Sequence, residues 1–317
     1  MPRCLITGIN GFAGSHLTEA LLSKGYSVSG IEKGGNFSNL AHLSDRLQLF
    51  SGDILDKDRM FEIVKAVRPD YVFHLAAQPS VAASFKEPEM TREVNVKGTQ
   101  NVLDAVREHA SSARMLLICT ADEYGNVKEK DLPIKETHPL APTSPYAESK
   151  KEAEELTLSY HKRYSLDVII SRSFNHTGPR QAPSFVLSDW AKQVADIEAG
   201  SQEPVIHVGN LEVKRDFLDV RDVADAYITL VTKGIAGEVY NVSSGKALSL
   251  REYLDQLILL SHKKITVEVA PEKLRPVDNP VYCGDNSKLK ALGWRQQKDV
   301  SDTLKALLGY WRNAAAG

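Results

Sequence analysis

Two residues of the segment SPYAESK, at residues 144–150, could transfer a proton together. Tyr146 and Lys150 stand four residues apart at the start of a helical pattern, so their side chains project from one face of the helix. A phenol has a pKa of about 10 in water, and a nearby ammonium stabilises the phenolate. We therefore predict that Lys150 lowers the pKa of Tyr146 and makes it a proton donor or acceptor near neutral pH. The alternative is an exposed Tyr–Lys pair without a role in chemistry.

The segment CTADEYG, at residues 119–125, adds a hydroxyl and two carboxyl groups. It follows an apolar run over residues 115–118 that predicts a buried strand. Thr120, at the end of that strand, could hold a substrate oxygen between its own hydroxyl and Tyr146. Asp122 and Glu123 come next, and carboxyl groups so close to a predicted core are candidates for acid or base catalysis.

The segment GINGFAG, at residues 8–14, has the spacing of a phosphate-binding loop. It directly follows the first apolar run and opens a helical pattern. Gly8, Gly11 and Gly14 would allow a tight turn and a close approach of the backbone to a pyrophosphate, and the helix N-terminus would supply amides for the anion. The strand before and the helix after make an ordinary turn the less favoured interpretation.

Two residues at the end of the second apolar run have opposite preferences for a cofactor. Glu32, 24 residues after Gly8, could accept hydrogen bonds from an adenosine ribose and would repel a 2'-phosphate, which favours NAD. Lys33 could instead bind that phosphate, which favours NADP. An exposed turn carboxylate is the alternative for Glu32. The sequence leaves NAD or NADP open and favours NAD.

The elements that must position these residues alternate through the first half of the chain. Helical patterns separate short apolar runs, which lie at residues 4–7, 27–31, 47–50, 71–75, 115–118 and 168–170. This alternation predicts a doubly wound parallel sheet covered on both faces. A further strand pattern at residues 237–242 could return to that sheet. We expect an NAD(P)-binding domain over 1–174 with a return segment near 216–243, and a smaller discontinuous α/β lobe mainly over 175–317.

Composition excludes several other classes of protein. The 317 residues carry a formal net charge of −2, which gives no basic field for a nucleic acid or an anionic membrane. Three cysteines, far apart, fit neither a disulfide framework nor a metal site. The sequence contains no apolar run long enough to cross a bilayer, and its start leads into a strand pattern rather than a signal peptide. We expect a cytoplasmic protein without a metal.

Together, these motifs resemble the extended short-chain dehydrogenase/reductases. The resemblance rests on the glycine loop, on HLAA at residues 74–77, on Asn95 at the start of a helix, and on Thr120 with the Tyr146–Lys150 pair. It implies a Rossmann domain of about seven parallel strands, a lobe for a nucleotide-diphosphate sugar, and a homodimer. It assigns catalysis to Thr120, Tyr146 and Lys150. The residues it assigns to the cofactor are Gly8, Gly11, Phe12, Gly14, Glu32, Lys33, Asp53, Ile54, Leu75, Ala76, Ala77, Tyr146 and Lys150.

Asp53 keeps a second interpretation. In the family resemblance it contacts the adenine edge of the cofactor. A helix N-cap after the third strand explains an aspartate at this position equally well.

The second half of the chain is most similar to the branch of the family that acts on GDP-sugars. The similar stretches are FNHTGPRQ at 174–181, a segment at 208–227 and LRPVDNP at 274–280. Guanidinium groups suit phosphate oxygens, so Arg215 and Arg275 are candidates for a diphosphate clamp, with surface ion pairs as the alternative. The resemblance also assigns Asn175 to the diphosphate and Asp278 to the guanosine ribose, and Lys192 joins them as a substrate-binding candidate.

The resemblance also separates two reactions. Dehydratases of the family use a glutamate at the position of Asp122 to remove a proton from C5, and Asp122 is shorter by one methylene. Glu123 falls where dehydratases carry an apolar residue, so we interpret it as a surface or loop-stabilising group. We therefore predict NAD(P)H-dependent reduction of the C4 keto group of GDP-4-keto-6-deoxy-D-mannose to GDP-D-rhamnose, with Asp122 secondary. The alternatives are a GDP-mannose 4,6-dehydratase, another nucleotide-sugar epimerase or dehydratase, and a non-catalytic nucleotide sensor.

Overall fold

Seven short strands form one parallel sheet in the computed structural model of the chain, which describes residues 1–273 and 279–316. The strands of the described residues are β1 Arg3–Thr7, β2 Ser27–Glu32, β3 Leu47–Ser51, β4 Tyr71–His74, β5 Arg114–Thr120, β6 Asp167–Ser173, β7 Asn175–Thr177, β8 Val205–Val208, β9 Lys214–Arg215, β10 Phe217–Asp219, β11 Val239–Val242, β12 Leu248–Ser249, β13 Thr266–Val269 and β14 Val281–Tyr282.

The large sheet has the strand order β11-β6-β5-β4-β1-β2-β3. The predicted α/β class with a doubly wound parallel sheet is confirmed, and β11 pairs with β6 as the predicted returning strand. The chain runs outward from β1 through β2 to β3 and then continues on the other side of β1 with β4. Ligands of such sheets bind in the crevice at the carboxyl ends of the strands, where the order reverses. The candidate residues after β1, β4 and β5 all lie at this edge.

Helices cover both faces of the sheet. The described helices are α1 Phe12–Ser23, α2 Lys57–Val67, α3 Val81–Lys86, α4 Pro88–Arg92, α5 Gly98–His109, α6 Pro145–Tyr164, α7 Val186–Ala199, α8 Val220–Lys233, α9 Leu250–Leu259, α10 Ser287–Ala291 and α11 Val300–Ala316. No helix of residues 1–273 and 279–316 is long and apolar enough to cross a membrane.

Successive residues of β1 show why apolar residues follow one another directly in a strand of this sheet. Ile6 packs with Leu17 of α1 and Tyr227 of α8, whereas its neighbour Leu5 packs with Met60 of α2. Side chains alternate between the faces of a strand, so a strand covered on both faces requires apolar residues at every position. This is why the apolar runs in the sequence predicted the sheet.

The second half of the chain contains a separate group of buried residues. Helices α7, α9 and α11 pack around Trp190, Leu254 and Leu308, together with Val208 of β8. The second half of the chain also forms the strand pairs β8–β13 and β7–β10 and the three-stranded sheet β12-β9-β14. The division into domains at residue 174 stays a prediction.

Candidate active site

The start of α6 carries two of the three predicted catalytic residues. Ser144 caps the helix by accepting a hydrogen bond from the Ala147 amide at 3.2 Å, and Pro145 occupies the first turn. The helix therefore begins one turn before Lys150, with Tyr146 on the same face. Lys150 is buried, with 5% of its surface exposed, and its Nζ donates to the Ile118 carbonyl oxygen of β5 at 2.6 Å.

Thr120 ends β5 beside this helix. The next four residues, Ala121–Tyr124, form a 3-10 turn. The Thr120 hydroxyl accepts from the Asp122 amide at 3.2 Å, and the Thr120 amide donates to Glu123 Oε1 at 3.2 Å. The Thr120 hydroxyl also forms a hydrogen bond with Tyr146. The structure thus brings the threonine, the tyrosine and the lysine together, and their catalytic role stays a prediction.

The electrostatics of Tyr146 differ from those predicted. Burial raises its pKa above the usual value, the Asp122 carboxylate raises it further, and the hydrogen bond with Thr120 offsets only part of this. The predicted fall of this pKa toward neutrality is wrong in the protein alone, because burial outweighs the stabilisation of the phenolate. Burial also lowers the pKa of Lys150. A phenol of this kind keeps its proton at neutral pH, which suits a proton donor.

Asp122 and Glu123, the two neighbouring acids of the turn, lie in different environments. Asp122 is exposed, and its charge raises the pKa of both Tyr146 and Tyr282. Glu123 is 0% exposed, so the interpretation of Glu123 as a surface group is wrong. Its loop-stabilising part holds, because Glu123 and Thr120 form a reciprocal capping box across the turn.

Glu123 belongs to a buried ionic cluster that the sequence analysis missed. Arg172 of β6 donates to both carboxylate oxygens of Glu154, from Nε at 3.0 Å and from Nη2 at 2.5 Å. Its Nε lies 3.8 Å from Glu123 Oε2, and its Nη1 donates to the Tyr124 hydroxyl at 3.1 Å. Burial and then the Glu154 charge raise the pKa of Glu123 to about 8. An arginine within the apolar strand VIISRS was the signal, because a buried guanidinium requires buried acids.

Residues of the second half of the chain contact the same turn. The Tyr282 hydroxyl donates to the Ala121 carbonyl oxygen at 2.6 Å, and Asn279 Nδ2 donates to the Gly125 carbonyl oxygen at 3.2 Å. Arg215 of β9 donates through Nη1 to the Asn279 carbonyl oxygen at 2.7 Å. The turn after Thr120 is therefore held by residues of the second half of the chain as well as by the sheet.

The glycine loop after β1 packs so closely against the neighbouring backbone that Gly8 and Gly14 cannot carry side chains. Gly8 has a φ of 71°, and a Cβ placed on it would lie 3.0 Å from the Ala76 amide nitrogen. A Cβ on Gly14 would lie 2.3 Å from the Gly8 carbonyl oxygen. Gly11 connects them, because its amide donates to the Gly8 carbonyl oxygen at 3.1 Å. Helix α1 starts immediately afterwards at Phe12. These features fit the pyrophosphate of a nicotinamide dinucleotide.

The acidic and basic residues after β2 are held in place by neighbours. Glu32 Oε2 accepts from the Asn10 amide of the glycine loop at 3.2 Å. Lys33 Nζ lies 2.9 Å from Asp53 Oδ2, so a carboxylate already neutralises the cation that could have bound a 2'-phosphate. The alternative interpretation of Asp53 as a helix N-cap is wrong, because Asp56 caps α2 by accepting from the Arg59 amide.

His74 fixes the backbone after β4 beside the glycine loop. Its Nε2 donates to the Thr99 hydroxyl at 3.0 Å, and that hydroxyl donates in turn to the Asn95 carbonyl oxygen at 2.6 Å. This arrangement requires Nδ1 to accept from the Thr7 hydroxyl, at 2.7 Å. Burial lowers the pKa of His74 to about 3, in agreement with a neutral ring. The Thr7 oxygen accepts from the Ala76 amide at 3.1 Å, which positions that residue at the crevice.

Two further cofactor candidates flank this amide, and a third, Ile54, follows β3. Leu75 and Ala77 are half-buried on either side of it. Ile54 is buried and packs against Gly98, where a Cβ would lie 2.4 Å from its Cδ1. Only the backbone of Ile54 could therefore face a cofactor.

Phe12 makes a contact that the sequence analysis did not foresee. Its ring stacks on His176, with the ring centroids 5.8 Å apart and the planes 10° from parallel. His176 belongs to FNHTGPRQ, so the stack joins the glycine-loop helix to the start of the second half of the chain. Arg180 reinforces this connection by donating to both carboxylate oxygens of Glu19 in α1, at 2.7 and 2.8 Å.

The predicted substrate residues are only partly described. Asn175 is exposed on β7, and Arg215 is half-buried on β9. Lys192 lies on α7, where its Nζ forms an ion pair with Asp196 at 2.5 Å. The other two substrate candidates, Arg275 and Asp278, lie outside the described residues.

The geometry agrees with comparisons of the sequence with known proteins. The family model described as GDP-mannose 4,6 dehydratase matches residues 5–307. The chain is 34% identical over 312 residues to the GDP-6-deoxy-D-mannose reductase of Pseudomonas aeruginosa, covering 98% of this chain and 97% of the relative. It is 33% identical over 342 residues to the GDP-mannose 4,6 dehydratase of Homo sapiens, covering 97% and 91% of the two chains.

Solved structures show the same fold. The structure of RMD from Pseudomonas aeruginosa complexed with NADPH aligns with a TM-score of 0.88 and 33% identity, over 99% of this chain and 100% of the other. The UDP-glucose 4-epimerase of Thermus thermophilus in complex with NAD aligns with a TM-score of 0.87 and 30% identity, over 98% of this chain and 99% of the other.

Proposed function

The chain belongs to the GDP-mannose 4,6-dehydratase family of extended short-chain dehydrogenase/reductases, and from this premise we propose that it reduces the C4 keto group of GDP-4-keto-6-deoxy-D-mannose to GDP-D-rhamnose with NAD(P)H. The observation that carries the proposal is the convergence of Thr120, Tyr146 and Lys150 at the carboxyl end of β5. Burial keeps the phenol of Tyr146 protonated, as reduction of a ketone requires of its acid.

The crevice at the reversal of strand order would hold the dinucleotide. Gly8, Gly11, Gly14 and the start of α1 would bind its pyrophosphate. Glu32 would bind the adenosine ribose, and we propose NAD as the preferred form because Asp53 neutralises Lys33. When bound, the reduced nicotinamide supplies the hydride that the carbonyl carbon accepts.

Side chains of this protein would bind the substrate oxygen O4 and donate a proton to it. Thr120 donates a hydrogen bond to O4 and fixes its position. Tyr146 gives its proton to the oxygen as the alkoxide develops, and the nearby Lys150 ammonium stabilises the phenolate that remains. Burial strengthens this electrostatic effect because water screens it less.

Asp122 decides between reductase and dehydratase. Glu123 is inaccessible, so Asp122 is the acid of the turn that could reach a substrate. An aspartate at this position falls short of a glutamate by one methylene, and a displacement of about 1 Å can cost roughly 100-fold in rate. This favours reduction, which needs no proton removed from C5. The position of Asp122 beside Tyr146 supports the second candidate, a GDP-mannose 4,6-dehydratase with Asp122 as its base.

We propose that the smaller lobe binds the GDP portion of the substrate. Asn175 and Arg215 are the described candidates for its diphosphate, because a guanidinium matches phosphate oxygens. Lys192 is a further candidate, and its ion pair with Asp196 would have to open first. Arg275 and Asp278 complete the proposed set from outside the described residues.

Two substrates distinguish the candidate functions. The enzyme is incubated with GDP-4-keto-6-deoxy-D-mannose and NADH or NADPH, and separately with GDP-mannose without reduced cofactor. Cofactor oxidation in the first reaction with formation of a 6-deoxyhexose nucleotide supports the reductase. Conversion of GDP-mannose to a 4-keto-6-deoxy sugar in the second reaction, without cofactor oxidation in the first, supports the dehydratase.

We also propose a cytoplasmic homodimer. Its three cysteines are free thiols, which fits a reducing compartment. Phe85 of α3 and Met90 of α4 are exposed apolar side chains that a second copy could cover. Sedimentation equilibrium of the wild type tests the dimer, and a monomer at micromolar concentration would contradict it.

A further inference from the structure

Two carboxyl groups lie buried beside a single guanidinium behind the candidate active site. Glu123 is 0% exposed, Glu154 is 3% exposed and Arg172 is 5% exposed. Burying a charge is costly unless it is paired, and one guanidinium fully compensates one carboxylate. This guanidinium can therefore fully compensate only one of the two carboxyl groups, and the Lys150 ammonium, the other buried cation near Glu123, donates its hydrogen bond to the Ile118 carbonyl oxygen.

The hydrogen bonds identify which carboxyl group is in excess. Arg172 uses Nε and Nη2 on the two oxygens of Glu154. Glu123 has only a looser contact of 3.8 Å with Arg172, and its Oε2 has no hydrogen-bond partner although it is buried. A carboxyl oxygen of Glu123 lies within 4.8 Å of one of Glu154. A proton on Glu123 Oε2 would give this oxygen a donor role toward Glu154 and remove the uncompensated charge.

A metal ion explains the cluster less well. Cys119, Glu123 and Glu154 each offer one ligand atom within 4.8 Å of the others, as a divalent cation would require. The guanidinium of Arg172, however, already occupies both oxygens of Glu154. A second cation would have to displace a buried positive charge, whereas a proton leaves every observed contact in place.

Glu123 is also joined directly to the catalytic residues. Its other oxygen, Oε1, accepts from the Thr120 amide at 3.2 Å and so holds the backbone of the residue that would position O4. The titratable groups around it are Glu154 and Lys150 of α6, Arg172 of β6, Cys119 of β5, and Asp122 and Tyr146 nearby. A negative charge on Glu123 makes the phenolate of Tyr146 less favourable.

We propose that Glu123 and Glu154 share one proton at neutral pH and that protonated Glu123 is a positioning residue for the reaction. The neutral acid holds the Thr120 amide without adding a negative charge beside Tyr146. Loss of the shared proton in alkaline solution adds that charge and makes Tyr146 a weaker proton donor. The kinetic part of this inference rests on the proposed reductase function, whereas the shared proton does not.

The shared proton is tested by infrared spectroscopy on the protein without substrate. Wild type should show the carbonyl stretch of a protonated carboxyl group at pH about 7, lost as the pH rises. Glu123→Gln and Glu154→Gln should both lack this band, because each removes one holder of the proton. Glu152→Gln is the matched control, since Glu152 lies on the same helix but pairs with Arg92 at the surface. A wild type without the band at neutral pH overturns the proposal.

The positioning role is tested by the pH dependence of turnover. The ratio of kcat in alkaline solution to kcat at neutral pH should be at least about threefold higher in Glu123→Gln than in wild type or Glu152→Gln. An equal ratio overturns the positioning role even where the infrared band is present. If Glu123→Gln does not fold, Glu154→Gln decides the shared proton through the same band. A wild type that reduces no GDP-4-keto sugar refutes the proposed function instead, and the infrared result stands separately.

Discussion

The hydroxyl of Tyr282 donates to the carbonyl oxygen of Ala121 at 2.6 Å, which connects the second half of the chain to the residue immediately after Thr120. Tyr282 lies on β14, which pairs with β9 and its candidate phosphate ligand Arg215. Strand β9, which carries the candidate diphosphate ligand, is thus connected through β14 to the turn that would position the reacting oxygen. Binding energy from the nucleotide can be used at the reacting carbon when such a connection exists.

Tyr282→Phe should therefore lower kcat by about fivefold with little effect on NAD(H) affinity, because a buried hydrogen bond contributes roughly 1 kcal/mol. Steady-state kinetics and cofactor titration measure the two effects. Tyr160→Phe is a matched control, since it removes a hydroxyl bonded to Asp104 near the C-terminal end of α6 and should not change kcat. Equal kcat values for Tyr282→Phe and wild type would show that the contact serves only folding.

Tyr146→Phe should reduce kcat by about 100- to 10,000-fold, because it removes the proposed proton donor while keeping the ring. Cofactor affinity should remain close to that of wild type. Single-turnover measurements with saturating NADH isolate the chemical step from product release. Turnover within threefold of wild type would rule out Tyr146 as the acid.

Most of the sheet could be predicted from sequence because its strands are buried on both faces. Strands β1 to β6 and β11 each contain a short, largely apolar run bounded by turn residues. Few structures other than buried parallel strands produce this pattern. The candidate site could be predicted from sequence for a related reason. Glycines at fixed spacing and a Tyr–Lys pair at one helical turn are local patterns, so Gly8 and Tyr146 could be identified without knowing their neighbours.

The contacts that shift the pKa values of the site residues could not be predicted from local patterns, because they join residues far apart in sequence. Arg172 and Glu123 are separated by 49 positions, and only the pairing of β5 with β6 brings them together. The same reasoning explains the error on Glu123. An acid directly after a strand is normally exposed. Glu123 can be buried because the fold places the Arg172 guanidinium beside it.

The proposed preference for NAD rests on the ion pair of Lys33 with Asp53. We expect kcat/KM with NADH to be at least equal to that with NADPH, because Glu32 would repel a 2'-phosphate and Lys33 is already neutralised. Glu32→Gln should shift the ratio toward NADPH by removing the repulsion. A strong preference of the wild type for NADPH would mean that Lys33 leaves Asp53 when the cofactor binds.

The raised pKa of Glu123 also predicts how stability depends on pH. Its pKa is about 8 in the folded protein against a usual value of 4.5, so between these values the folded state holds a proton that the unfolded state has released. Stability then falls as the pH rises through this window and levels off above it. Glu123→Gln cannot titrate, so its free energy of unfolding relative to wild type should increase from pH about 5 to about 8. Urea unfolding at several pH values measures this, and a constant difference would contradict a raised pKa.

Asp122 provides the test that separates the two reactions of the family. Reduction at C4 needs no base at C5, so Asp122→Asn, which keeps the shape but removes the base, should lower reductase turnover by less than about tenfold. Removing this charge also relieves Tyr146 of a neighbour that raises its pKa, and the phenol should then titrate at lower pH. A dehydratase requires the opposite outcome, because elimination needs the proton at C5 to leave. Sustained conversion of GDP-mannose by wild type, lost in Asp122→Asn, would make this carboxylate the centre of the mechanism and replace reduction with dehydration.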